Sequence, residues 1–241
     1  VYIDAAGSLG TKITHIFETH LHADFVSGHL DIAEKTGATI YAPRMGGCAF
    51  EHTAVADGDE IAVEDMVLRV METPGHTPEH VSYVVTDTSR GLDPVGVFCG
   101  DTLFVGDVGR PDLFPGRASE LAHKLFSSLH DGLMRLPDYC EVYPAHGAGS
   151  LCGRSMAAKR TSTIGFERAC NPALQLRDVE AFTTSLTTGM PPAPDHFERC
   201  SAINGRGPAL VRSLPAPRGL TPAQFRSLAD SGNAVVLDAR P

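Results

Sequence analysis

The 241-residue sequence has no run of about 18 apolar residues, the length that crosses a bilayer as a helix, and it opens on neither a basic stretch nor an apolar signal core. A membrane span and a secretory leader are excluded on this reading, and a soluble setting, cytoplasmic or matrix-like, is expected. A Lys/Arg block is missing too. Twenty Lys+Arg stand against 29 Asp+Glu, a formal charge of −9, which excludes a broad grip on nucleic acid or anionic lipid because both need counter-charge. A small-molecule partner is expected instead. The six cysteines (Cys48, Cys99, Cys140, Cys152, Cys170, Cys200) contain no C-x-x-C pair, unlike a disulfide framework or a structural zinc site; each reads as a small buried hydrophobe or a free thiol. Internal repeats and low-complexity tracts are absent.

What is present is enough to fold. A hydrophobic content of 42% over this length supports one large domain, or one domain plus a fragment, with a real core. Alternating apolar and β-branched residues predict a strand over Ile13 to Thr19, ending at His20. Leu30 to Lys35 reads as part of a helix closed by Gly37, and Ala38 to Tyr41 as a short strand stopped by Pro43. Ile61 to Val63 and Val67 to Thr73 predict a hairpin broken at Pro74-Gly75, followed by strands over Val81 to Thr86 and Val95 to Cys99. Leu121, Leu125, Leu129, Leu133 and Leu136 form a core-facing helical stripe within Ser119 to Leu136, ended by Pro137. Glu141 to Pro144 reads as a strand, and from Arg154 the pattern turns helical, with Val179, Phe182 and Leu186 on one face until Pro191 to Pro194 interrupt it.

Gly205 to Gly219 is rich in Gly, Pro and Arg and reads as a linker. Thr221-Pro222 then makes a good helix start, Ala223 to Ser231 a helix, and Ala234 to Ala239 a buried strand, the opening of a second, incomplete α/β unit. The expected division is 1–204, a linker over 205–220, and 221–241. Val1 begins mid-pattern and the last residues run into an apolar stretch, so a fragment or a processed chain is expected.

The chemistry sits at strand ends. Thr19-His20-Leu21-His22-Ala23-Asp24-Phe25 puts two His and an Asp at alternate positions of one loop, a set that suits Zn, Fe or Mn. Three further predicted strands end in the same way: Thr73-Pro74-Gly75-His76-Thr77, Cys99-Gly100-Asp101-Thr102, and Tyr143-Pro144-Ala145-His146-Gly147. Strand-terminal loops are where open sheets commonly build their sites.

These four motifs, in this order over roughly residues 1 to 165, resemble the metallo-β-lactamase fold superfamily, with its H-x-H-x-D-H motif, a His after T-P-G, a bridging Asp and a late His. The resemblance implies an αββα sandwich with the metal site along one edge; composition and periodicity alone give only a mixed α/β domain. The chain departs from the pattern at Phe25, which stands where hydrolases of this superfamily have a second His. A phenyl ring cannot ligate, so a second metal keeps only Asp24, His146 and a shared Asp101. His20, His76 and Asp101 remain as a two-His, one-carboxylate set, the signature of a non-haem Fe(II) centre that activates O2.

Within the superfamily this resembles the persulfide dioxygenases, also called sulfur dioxygenases, of the branch fused to a rhodanese domain. The stretch from Thr19 to Gly28 is similar to that branch's first motif, and Gly106-Asp107-Val108-Gly109-Arg110-Pro111-Asp112-Leu113 to its G-R-x-D loop. Val235 to Arg240 is similar to the first strand of a rhodanese module, whose active-site Cys loop is not in this chain. The implied fold is therefore the αββα sandwich with a C-terminal helical extension and a truncated rhodanese-like start.

The implied reaction is persulfide plus O2 plus water giving thiol and sulfite at a single Fe(II) held by His20, His76 and Asp101. His22 resembles a residue held back from the iron, and Asp24 and His146 are read as proton-handling groups beside it. Arg110 is the leading candidate to hold a substrate carboxylate, with Asp112 beside it; an Arg-Asp pair that only fixes the loop is the alternative. His80 is placed either in the substrate pocket or at the surface. A homo-oligomer is in keeping with the family. The rival enzymatic reading is a glyoxalase II-like dizinc thioester hydrolase (hydroxyacylglutathione hydrolase), and the rival from another class is a degenerate scaffold used for protein contacts.

Overall fold

The structure, a computed structural model, describes residues 1–238. They form two compact units, Val1–Pro208 and the described residues from Ala209 onward. The first unit opens with α1 (Tyr2–Ser8), β1 (His15–Phe17), α2 (His29–Thr36), β2 (Thr39–Pro43) and β3 (Thr53–Val55). The strands β4 (Glu60–Val63), β5 (Met66–Glu72), β6 (Val81–Asp87), β7 (Pro94–Gly100), β8 (Leu103–Phe104) and β9 (Asp107–Val108) follow. After α3 (Ala118–Ser127) come β10 (Glu141–Pro144), β11 (Ser162–Thr163), α4 (Ile164–Cys170), α5 (Val179–Thr187) and α6 (Phe197–Arg206). No helix among the described residues is long and apolar enough to cross a membrane.

Two sheets stack. A parallel sheet of order β1-β2-β3 faces a mixed sheet of order β11-β10-β7-β6-β5-β4. Strand period decides what lies between them, because successive side chains leave a strand on opposite faces. In β6, Val81, Tyr83 and Val85 join Val55, Leu68 and Val70 between the sheets, while Val84 joins Val97, Cys99 and Val142 under the helices. Leu125, Phe182 and Leu186, from α3 and α5, cover that second face. The helix α2 closes as predicted: Gly37 takes φ 73°, a left-handed cap that carries no Cβ penalty in glycine.

Three expectations need correction. The predicted strand over Ile13 to Thr19 narrows to β1, because the chain leaves its partner after Glu18 and the Thr19 carbonyl accepts instead from the Val81 amide across the sandwich. The leucine stripe is not one helix: α3 ends at Ser127, a wider π-type turn covers Ser128–Gly132, and a 3-10 turn covers Leu133–Arg135. All five leucines nevertheless stay buried, since the wide and tight turns together keep the stripe aimed at the sheet. The segment after Arg154 is irregular before β11, because one carboxylate oxygen of Asp107 collects the amides of Arg154 and Ser155 at 2.6 and 2.7 Å and fixes the chain as a loop.

In the second unit α7 (Pro222–Asp230) starts as predicted, with a reciprocal capping box between Thr221 and Gln224 and Pro222 in the first turn. The buried strand expected from Ala234 is not formed. Val235 and Leu237 are 86% and 85% exposed, and no strand among the described residues is there to pair with them; Ala239 and Arg240 lie outside the described residues.

Candidate metal centre

Four strands run out at one edge of the sandwich, and each delivers a donor. The loop after β1 carries His20, His22 and Asp24; those after β5, β7 and β10 carry His76, Asp101 and His146. Two separate donor groups result, each with its ligand atoms within 4.8 Å of one another: His20, His76 and Asp101, all buried, and His22, Asp24 and His146, half-buried; a third group, Asp101, His146 and Cys152, borrows a member from each. The turn into Asp101 depends on Gly100, which has φ 51° and where a Cβ would overlap the His80 ring.

Hydrogen bonds settle which atoms face the first group's centre. His76 donates from Nδ1 to the Arg110 carbonyl at 2.9 Å, which leaves its Nε2 lone pair 3.2 Å from Asp101 Oδ2. His20 meets the Thr19 hydroxyl through Nδ1 at 2.9 Å, and its Nε2 lies 3.8 Å from the same Oδ2. Burial pushes both imidazoles below their ordinary range, helped at His20 by the neighbouring His22. Two neutral nitrogens and a carboxylate oxygen thus point at one another, and all three atoms are buried without a hydrogen-bond partner. Such an arrangement is unfavourable unless a cation stands between them, so the residues fit a bound metal ion. His22 Nδ1 and Asp24 Oδ1, 3.7 Å apart, are orphaned in the same way.

His146 joins the two groups. It donates from Nδ1 to Asp101 Oδ1 at 2.7 Å and from Nε2 to Asp24 Oδ2 at 2.8 Å. Against the cost of burial, these bonds to Asp101 and Asp24 push His146 up to about 10. The same contacts, overcoming burial, hold the Asp24 carboxyl well below the usual range, and His76 with His146 does so for Asp101. The ring of Phe25 lies 4.4 Å from that of His22 and 6.5 Å from that of His146, where the superfamily pattern places an imidazole.

The geometry engages the three residues anticipated near substrate in contacts within the protein. Arg110 is 1% exposed; Nε and Nη2 grip both oxygens of Asp112 at 2.7 and 2.8 Å, and Nη1 and Nη2 also donate to the Leu151 and Pro191 carbonyls. Its donors are consumed within the protein, which leaves the loop-fixing alternative, and Asp112 is occupied with it. His80 is not at the surface. It is wholly buried, stacks on His20 with centroids 4.8 Å apart, and accepts the Asp101 amide on Nε2 at 3.0 Å. Its Nδ1 proton therefore faces the Thr73 and Thr102 hydroxyls at 3.0 and 3.1 Å, and burial, with His76 nearby, pulls its pKa down to about 3. His80 is a neutral post under the metal loop.

Sequence reasoning missed two supports. Glu79 accepts the Leu21 amide at 3.0 Å, and Cys152, fully buried, sits beside Asp101 and His146. Neither belongs to a recognisable pattern; the adjacency of Glu79 to His80 is the only local cue. A cleft of about 530 Å³ borders the centre, with His22, Phe25, Gly100 and Ala145 among its lining, whereas a larger concavity of about 690 Å³ over Asp87, Arg90 and Tyr139 contains none of the donors.

Comparison with known proteins agrees with this geometry. The family model described as Metallo-beta-lactamase superfamily matches residues 3–146. A hydroxyacylglutathione hydrolase of Rhizobium johnstonii is 38% identical over 88% of this chain and 77% of its own length. The mitochondrial persulfide dioxygenase ETHE1 of Bos taurus is 31% identical over 82% of this chain and 70% of its own length. A crystal structure of a metallo-beta-lactamase from Staphylococcus aureus subsp. aureus COL superposes with a TM-score of 0.81 at 38% identity, covering 89% of this chain; the chain spans 64% of that protein. The orphaned donors at the strand ends, the stacked sheets and these matches together make the chain a member of the metallo-beta-lactamase superfamily.

Proposed function

We propose that the chain is a mononuclear non-haem Fe(II) persulfide dioxygenase, which oxidises a thiol persulfide, glutathione persulfide or one like it, with O2 and water to the thiol and sulfite. The observation that carries this reading is the pairing of Phe25 with His146. Phe25 removes one imidazole from a second metal position, and both nitrogens of the other imidazole are already engaged by Asp24 and Asp101. Of the donor groups, His20, His76 and Asp101 is the one whose three facing atoms all lack a hydrogen-bond partner. The likeness to ETHE1 over 82% of the chain is in keeping with it.

His20, His76 and Asp101 would hold Fe(II), which would supply the redox chemistry that eases an otherwise spin-restricted oxidation by O2. The protein supplies position and protons. Asp101, anchored by His80 through its amide and by His146 through Oδ1, presents Oδ2 beside the two Nε2 atoms with little freedom to move. Water attack that ends in sulfite releases protons; His146, which donates from both nitrogens, can take one only after its Nε2 proton passes to Asp24, so the pair would act as a relay. Phe25, laid against His22, shields this side with hydrocarbon. The C-terminal segment 221–241 we read, on resemblance alone, as the opening of a rhodanese-like unit, with no sulfur transfer assigned to it.

A hydroxyacylglutathione hydrolase with two zinc ions is the second reading, favoured by the 38% identity to the Rhizobium enzyme and by the orphaned atoms of His22 and Asp24. Metal quantitation with an oxygen-electrode assay separates the two. About one Fe per chain and O2 uptake on glutathione persulfide support the dioxygenase; two Zn per chain with thioester cleavage and no O2 uptake overturn it.

A further inference from the structure

The loop that carries His22 and Asp24 is fastened from a distant part of the chain. Asn204, in the last turn of α6, is 1% exposed and donates from Nδ2 to the carbonyls of His22 and Phe25, both at 2.8 Å. Its Oδ1 accepts the Ser27 amide at 2.8 Å. The orientation of this amide is unambiguous: two carbonyls require its N–H groups and one N–H requires its oxygen. Ser201, one turn earlier, adds a longer bond to the His22 carbonyl at 3.4 Å, and the Gly205 carbonyl accepts the Ala49 amide at 2.8 Å. The same helix end thus ties down two loops. The family model stops at residue 146, so this fastening comes from outside the matched segment.

We infer that Asn204 is a positioning residue for the centre: it fixes the backbone on both sides of Asp24, and so holds the carboxylate that His146 bonds. Among the described residues, no other side chain makes more than one direct hydrogen bond to the backbone of residues 22–27. The loop has no regular secondary structure of its own, so these three bonds replace a ladder. The ion's own donors, His20, His76 and Asp101, are held by Thr19, Arg110, His80 and His146, and none of those contacts passes through Asn204. Its removal should therefore leave the ion in place and loosen Asp24. The chemical consequence rests on the dioxygenase reading, but the structural one does not.

Asn204→Asp and Asn204→Ala test this, with Ile164→Val, a change in the distant core, as the control for general loss of stability. Asn204→Asp sets a carboxylate against two carbonyls while retaining the acceptor for Ser27; Asn204→Ala removes all three bonds. For both, iron content should match the parent protein, hydrogen exchange in residues 21–28 should accelerate at least about 10-fold with the core unchanged, and the visible spectrum of the Co(II)-substituted protein should stay that of the parent, because His20, His76 and Asp101 are held by other contacts. O2 uptake on glutathione persulfide should fall in kcat by about 10²-fold, the scale of a misplaced group, with KM little changed. Loop exchange equal to the parent's, a Co(II) spectrum that shifts, or acceleration spread over all segments as in Ile164→Val, overturns the inference. If the parent protein takes up no O2 on any persulfide while the exchange result holds, the fastening stands and the dioxygenase reading fails.

Discussion

His146 donates to Asp101 Oδ1 at 2.7 Å while Asp101 Oδ2 faces the Nε2 atoms of His20 and His76, so one carboxylate divides its two oxygens between a proton and an ion. The two functions separate by substitution. Asp101→Ala should abolish iron binding and turnover together. His146→Gln should keep iron near one per chain and slow O2 uptake by about 10²- to 10⁴-fold, the usual worth of a positioned acid or base. Atomic emission on the purified proteins checks both, and iron lost from His146→Gln would make that residue a ligand.

Phe25→His restores the imidazole that the superfamily pattern places there. Its ring would stand within reach of Asp24 and His146, since the phenyl already lies 6.5 Å from the His146 ring. Zinc bound per chain, measured by equilibrium dialysis, should rise from about one toward two, with some thioester hydrolysis gained. An unchanged count of one would show that position 25 does not limit the second site.

Arg110 acts on stability. Replacing it with Met leaves the partly buried Asp112 carboxylate without its partner and gives the carbonyls of the exposed Leu151 and Pro191 to water, which should cost about 1–2 kcal/mol in urea unfolding. KM for glutathione persulfide should stay within about 2-fold, because a guanidinium this deeply committed does not meet substrate. A large rise in KM with stability intact would return Arg110 to the substrate.

The metal-free protein should be most stable near neutral pH and lose stability in both directions. His20, His76 and His80 are held below 6.5 when folded, so below about pH 6.5 the unfolded chain binds more protons and stability falls. Asp24 and Asp101, also lowered, extend this loss at more acid pH. His146 has the opposite sign: raised to about 10, its contribution is complete below about 6.5 and disappears as pH climbs through 10. Urea midpoints at about pH 5, 7 and 9 should trace this curve, and His146→Gln should flatten its alkaline side. An alkaline side identical in both proteins would contradict the bridge to Asp24 and Asp101.

The donors were legible because each follows its own strand: β-branched alternation, a Pro-Gly or Gly break, then His or Asp. Local sequence carries that information. The hairpin β4–β5, the Gly37 cap and the Thr221 capping box were legible for the same reason. The single leucine helix was misread because periodicity records which side chains face the core, and the π-type and 3-10 turns after Ser127 preserve that facing while changing the backbone. Val235 to Leu237 looked buried because they are apolar, yet a strand needs a neighbour to pair with.

By itself, then, the amino-acid order determined the set of candidate ligands, their delivery at strand ends and the hydrocarbon ring at position 25. Tertiary structure alone decided that His80 lies beneath the centre, that Arg110 is engaged by Asp112 and two carbonyls, that His146 bonds Asp24 across 122 residues, and that Asn204 reaches back to the loop. The reason is physical. A side chain's type is a local property, but its burial and the direction of each hydrogen bond are set by groups that only folding brings within about 3 Å.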